Sequence, residues 1–148
     1  MLESLIIDGC TYLETIDLRD CPKLKSLVVP SSVTTVFLGN CENLESLTAI
    51  YSGSSRYVSN LVNITVSACP KLKYVDLSGQ NNDNLQVSLV GAPNMEVIYL
   101  SRMTSTDITF PAKRDWTSLR TLDISATYIG YLNYYDTPAM RTDCLDLD

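Results

Sequence analysis

Apolar residues recur along this chain at spacings of three and then two. Leu13, Ile16 and Leu18 set the phrase; Leu24, Leu27 and Val29 restate it, and Val33, Val36 and Leu38 follow. Leu2-Leu5-Ile7 stands before them, while Leu44-Leu47-Ala49, Leu61-Ile64-Val66, Leu72-Val75-Leu77, Met95-Ile98-Leu100 and Leu119-Leu122-Ile124 continue the pattern. It loosens at Val87-Leu89 and Ile108-Phe110. The pair at spacing two predicts a short strand with alternate side chains pointing into a core. The apolar residue three positions earlier closes the preceding turn against the same core. A unit of about eleven residues holds one strand and one corner, which is half a coil.

The corners fall into two kinds. Cys21-Pro22-Lys23-Leu24, Cys41-Glu42-Asn43-Leu44, Cys69-Pro70-Lys71-Leu72 and Ala92-Pro93-Asn94-Met95 resemble one another, whereas Pro30-Ser31-Ser32-Val33, "YSGSSRYVSN" and "GQNNDN" do not. Unlike corners in alternate units predict a repeat of about 20 to 23 residues built from two halves. Cys21, Cys41 and Cys69 then occupy one slot in successive coils, stacked about 4.8 Å apart as reduced, buried, small apolar groups. Their single occurrence, without a close C-x-x-C pair, disfavours a zinc site.

With the L-x-L pair inward, the residues between and beside it face outward. One face carries Ser26, Val28, Ser46, Thr48, Tyr74, Asp76, Val97, Tyr99, Thr121 and Asp123, with Ser4, Ile6 and Asp8 ahead of them; the other carries Asp17, Phe37, Thr65 and Ser88. Asp76, Tyr99 and Asp123 share one central position in like-sided half-coils, and Tyr74 flanks the first. Tyrosines among small polar residues suit an adaptable contact surface, so Tyr74, Asp76, Tyr99 and Asp123 form the leading candidate binding site.

Three interruptions break the repeat, at 51–60, 79–84 and 111–118. The first carries Tyr57 and the third Trp116, and insertions in solenoids lie on the surface, where binding often resides; both residues join the candidate site. The repeat fades after Ser125, so residues 1–125 read as the solenoid and 126–148 as a C-terminal segment that caps its last apolar coil. Leu2 already occupies a repeat position, which predicts an excised segment or a very short N-terminal cap.

"LETIDLRDCPKLKSL" and "LKYVDLSG" resemble the L-x-x-L-x-L-x-x-(N/C) phrase of leucine-rich repeats over most of residues 2 to 125, and "VPSSV" followed by "NCENLESL" resembles BspA-like bacterial surface repeats. The resemblance implies parallel strands, a non-catalytic role in recognition, and a place on the cell surface or outside the cell. Two features depart from the family: the corner reads C-x-x-L rather than C-x-L, and little in the chain reads as helix. Strands on both sides of a flattened, β-rich solenoid are therefore expected.

Composition narrows the partners. The 148 residues carry a net charge of −6 with 11 Lys+Arg against 17 Asp+Glu, which argues against nucleic acid or an anionic membrane as partner. No apolar run is long enough to cross a membrane, and no signal peptide is visible in this chain. The absence of histidine removes the commonest general base and metal ligand. No phosphate-binding loop, nucleophile elbow or zinc-protease pattern is present, and no cofactor is expected. Asp76 and Asp123 lie two coils apart, roughly 10 Å, with Tyr99 between them. Glycosidic carboxylate pairs sit at about 5 Å or about 6.5 to 9.5 Å. The expected function is a non-catalytic scaffold for a protein or glycan partner, within a longer chain of repeats. A structural spacer of a surface fibre or viral appendage is the first alternative, and a β-helix carbohydrate-active enzyme the second.

Overall fold

The computed structural model describes residues 2–51, 53, 58–104, 107–112 and 117–125, together with the backbone of 131–133. Among them the chain forms short strands in strict alternation between two sheets. The strands are β1 (Thr15–Arg19), β2 (Ser26–Val28), β3 (Thr35–Gly39), β4 (Ser46–Thr48), β5 (Asn63–Ser67), β6 (Tyr74–Asp76), β7 (Gln86–Ser88), β8 (Val97–Tyr99), β9 (Asp107–Thr109), β10 (Thr121–Asp123) and β11 (Tyr131–Asn133). Odd-numbered strands make a six-stranded sheet in the order β1-β3-β5-β7-β9-β11, and even-numbered strands a five-stranded sheet in the order β2-β4-β6-β8-β10. Every pairing is parallel. The protein is a two-sheet β-solenoid with no helix among the described residues.

The inward ladders follow the apolar pattern. Ile16, Val36, Ile64, Val87 and Ile108 are in register along the odd sheet. Leu27, Leu47, Val75, Ile98 and Leu122 are in register along the even one. All ten are buried in one continuous core. Both faces of each coil feed that core, so removing one leucine opens a void bordered by its neighbouring coils.

One turn serves both kinds of corner. The N–H of Leu24, Leu44 and Leu72 donates to the carbonyl of Cys21, Cys41 and Cys69, and the N–H of Leu13, Val33 and Leu85 donates to that of Cys10, Pro30 and Asn82, all at 2.9–3.2 Å. The extra residue in C-x-x-L is the one this three-residue step requires. The two halves of the coil differ in side chains while sharing a backbone path.

Register survives the insertion. Thr15 pairs with Thr35 after 20 residues, Thr35 with Asn63 after 28, and Asn63 with Gln86 after 23. The expected period of about 20 to 23 residues thus holds in the other early coils, while 51–60 lengthens one coil to 28. The steps from Val97 to Thr121 and from Asp107 to Tyr131 take 24. Loop closure cost grows slowly with length, and the insertion leaves the ladder hydrogen bonds in step.

Three expectations need correction. Residues 4–8 form no strand, although Leu5 and Ile7 pack half-buried against the core. Leu18 and Cys21 are also half-buried, whereas their counterparts Leu38 and Cys41 are fully buried. The reason is position: β1 pairs with β3 on one side only, so its coil is covered once rather than twice. Finally, "GQNNDN" is not simply a solvent-facing turn, because Gln80 and Asn82 within it are buried.

Candidate binding face

The outward side of the even sheet is the face expected to bind. Tyr74 is paired with Val97, Asp76 with Tyr99, and Tyr99 with Asp123, as the central-column reading requires. The tyrosines meet directly. Their ring centroids lie 5.8 Å apart with planes inclined at 62°, an edge-to-face contact that suits the opposed charges of ring edge and ring face. Both rings are half-buried, less exposed than the sequence suggested, because each covers part of the other.

Asp76 locks this pair. Its Oδ2 accepts a hydrogen bond from the Tyr74 hydroxyl at 3.2 Å, and its Oδ1 accepts the backbone N–H of Ser78 at 3.0 Å. With 9% of its surface exposed, Asp76 is a buried brace rather than the open carboxylate expected. Burial raises the Tyr74 hydroxyl above the usual tyrosine range, and the neighbouring Asp76 charge and hydrogen bond push the same way. Asp123 makes the same local turn, accepting the N–H of Ser125 at 2.9 Å through Oδ1, but stays half-exposed. An aspartate ending a strand and capping the amide two residues on is a common local turn.

Around the tyrosines lies a graded border. Ile50 is exposed at 52% on the coil next to Tyr74, and Val28 at 56% one coil farther out. Beyond the strand ends, Ser101 Oγ donates to Ser78 Oγ at 3.2 Å. Lys73 reaches Glu96 at 2.8 Å, and this hydrogen-bonded ammonium holds the Glu96 carboxyl below its ordinary range.

The odd sheet presents different chemistry. Asp17 and Arg19 form an exposed pair on β1, with Arg19 Nε 2.9 Å from Asp17 Oδ1 and the guanidinium carbon 5.9 Å from the centre of the Phe37 ring. That hydrogen bond lowers the Asp17 carboxyl and raises the Arg19 guanidinium. Farther along, Thr65, Ser88 and Thr109 line up in register as a column of hydroxyls.

The cysteine corner lies between the sheets. Cys41 and Cys69 are buried and free. The Cys41 thiol donates to the Leu18 carbonyl at 3.0 Å, and that of Cys69 lies 3.4 Å from the Ser67 carbonyl. Burial pushes the Cys41 thiol up and takes that of Cys69 to about 11. Cys10 is exposed. Among the described residues no three His, Cys, Asp or Glu side chains gather closely enough to hold a metal ion.

Tyr57 and Trp116, the loop candidates, lie outside the described residues. What the sequence reading missed is the polar seat beneath the insertion. Asn82 Nδ2 donates to the carbonyls of Ser59 and Leu61 at 3.0 Å each, and Asn81 Oδ1 accepts the Ser59 N–H at 2.8 Å. The signal was available: Asn82 precedes Leu85 by three residues, as Cys21 precedes Leu24, so it occupies the N/C slot on the opposite corner.

Fold and face together define the class, a repetitive two-sheet β-solenoid scaffold. No family model matches the chain, no curated protein matches its sequence, and no solved structure matches its fold.

Proposed function

We propose that this chain is a non-catalytic recognition scaffold that offers the even-sheet face to a protein or glycan, with contacts centred on Tyr74 and Tyr99. One observation carries the reading: the two rings are held against each other and anchored through Asp76 before any partner arrives. Ordering them on binding costs little entropy, and tyrosine adds large contact area per rotor. Asp123 supplies an adjacent carboxylate for polar specificity, and Val28 and Ile50 supply an apolar rim. The spacing of leucines and the C-x-x-L corners support kinship with leucine-rich repeats of the BspA-like kind. With that kinship go a cell-surface or extracellular location and neighbouring repeats in a longer chain.

A structural spacer is the second reading. It is favoured by how fully the outward acids serve the fold: Asp76 and Asp123 cap backbone amides, and Asp17 is paired with Arg19. The same use weighs against a carbohydrate-active enzyme, since the two even-sheet carboxylates are two strand steps apart with Tyr99 between them.

Binding measurements separate the readings. A glycan array and a surface-protein panel supply the ligand, which is then titrated against Tyr99→Ala and Ser88→Ala. Loss of about 2 kcal/mol or more for Tyr99→Ala, with little for Ser88→Ala, is the expected result. A larger loss from Ser88→Ala moves the site to the odd sheet. No ligand in either library favours the spacer.

A further inference from the structure

We propose that the trailing root of the insertion, at Ser59, is seated on a single bound water molecule, held by Ser59 and Gln80 inside the solenoid corner. Both side chains are almost wholly buried, at 3% and 4% exposed. Ser59 Oγ and Gln80 Oε1 have no hydrogen-bonding partner in the protein. Other polar groups of these two residues are engaged. The Ser59 N–H binds Asn81 Oδ1 and the Ser59 carbonyl accepts from Asn82 Nδ2. Gln80 Nε2 donates to the Ala49 carbonyl, and the Gln80 carbonyl accepts from the Thr104 N–H. The contact with Ala49 also fixes the amide's sense, because flipping it would set two carbonyl oxygens against each other.

Ser59 and Gln80 both line one small cavity of about 10 Å³, bordered also by Val29, Val33, Ala49 and Leu61. That is space for one water, and a buried water needs two to four polar partners. Gln80 Oε1 accepts one of its protons, and the Ser59 hydroxyl is free to donate or accept. Pro30, Ser31 and Asn60 form a wall shared with an open groove beside Cys10. In that wall Asn60 Nδ2 donates to the Ser31 carbonyl at 2.9 Å. The trailing root of the insertion, at Ser59, is thus fixed by a side-chain network that includes a solvent molecule.

Oxygen-17 relaxation dispersion on the full chain counts long-lived internal waters directly. Wild type should hold one more than Ser59→Val, which removes the hydroxyl and fills its space, and an equal count overturns the proposal. Should that variant fail to fold, Gln80→Met takes its place and must lose the same single water. A crystal structure gives an independent reading. A solvent peak within about 3 Å of both Ser59 Oγ and Gln80 Oε1 confirms the site. A direct Ser59–Gln80 hydrogen bond with no peak between them refutes it.

Discussion

The two sheets share one interior and part company at every outward position. Inside, Leu38 from the odd side and Leu77 from the even side are both fully buried in a common core. Outside, one sheet shows an acid–arginine pair over Phe37 and a column of hydroxyls, while the other shows a locked tyrosine pair. The core dictates the inward pattern, so the sheets must agree there. Core packing constrains the outward pattern less, so the two faces are free to differ there.

The largest expected effect tests the shared interior. Leu38→Ala and Leu77→Ala should each cost about 2 to 5 kcal/mol by chemical denaturation. Leu18→Ala, in the coil covered on one side, should cost less. A clear inequality between Leu38 and Leu77 would break the symmetry of the two sheets. If Leu18→Ala proved as costly as Leu38→Ala, the account of the end coil would be wrong.

The cysteine corner offers a pH test. In the fold the Cys69 thiol stays protonated to about pH 11, against an ordinary value of 9.0. Its folded value is raised, so the unfolded chain loses this proton first as pH climbs. The stabilising contribution is complete below about pH 9 and disappears as pH rises toward 11. Denaturation of wild type and Cys69→Ala across that range, under reducing conditions, should show a steeper decline for wild type. In the native protein at neutral pH, Cys10 should react with a thiol reagent well before Cys41 or Cys69.

A smaller effect separates the exits from the two sheets. Chains leaving the odd sheet pass through Asp20, Asn40 and Ala68 with φ of 62°, 52° and 50°, and the even sheet uses Gly79 at 79° and Arg102 at 59°. Asp, Asn and Gly tolerate this left-handed region, while alanine has no side-chain hydrogen bond to compensate. Ala68→Gly should therefore stabilise by about 0.5 kcal/mol, the relief of strain exceeding the added freedom of the unfolded chain. A loss of melting temperature would contradict this. Tyr99→Ala gives up the edge contact with Tyr74 and should cost about 0.5 to 1.5 kcal/mol. Ser88→Ala, smallest of all, should leave folding nearly unchanged, because its side chain fills no part of the core.

Much of the fold was legible because period-two strands and their closing leucines obey local rules. Val36 and Leu38 declare an inward face whatever lies elsewhere, and the like spacing of Leu61, Ile64 and Val66 puts Asn63 and Thr65 outward. The candidate face was legible for the same reason, since register follows once the inward pair is known. Its chemistry was legible only in part. The order Tyr-Val-Asp-Leu-Ser allows the local bonds of Asp76 to Tyr74 and Ser78, but does not show the contact of Tyr74 with the Tyr99 ring one strand away. Burial of Gln80 was hidden, as its partner Ala49 comes from the coil before, whereas that of Asn82 was signalled by its place three residues before Leu85.

The sequence by itself determined the coil, its two sheets and the direction of each side chain, because these follow from periodicities within about two dozen residues. Tertiary structure alone decided how deeply each outward residue sits and what it touches. Those depend on contacts between coils, where residues 20 to 28 positions apart become neighbours at one strand spacing. Side-chain hydrogen bonding and burial at that range are set by what the adjacent coil presents, and no local pattern carries that information.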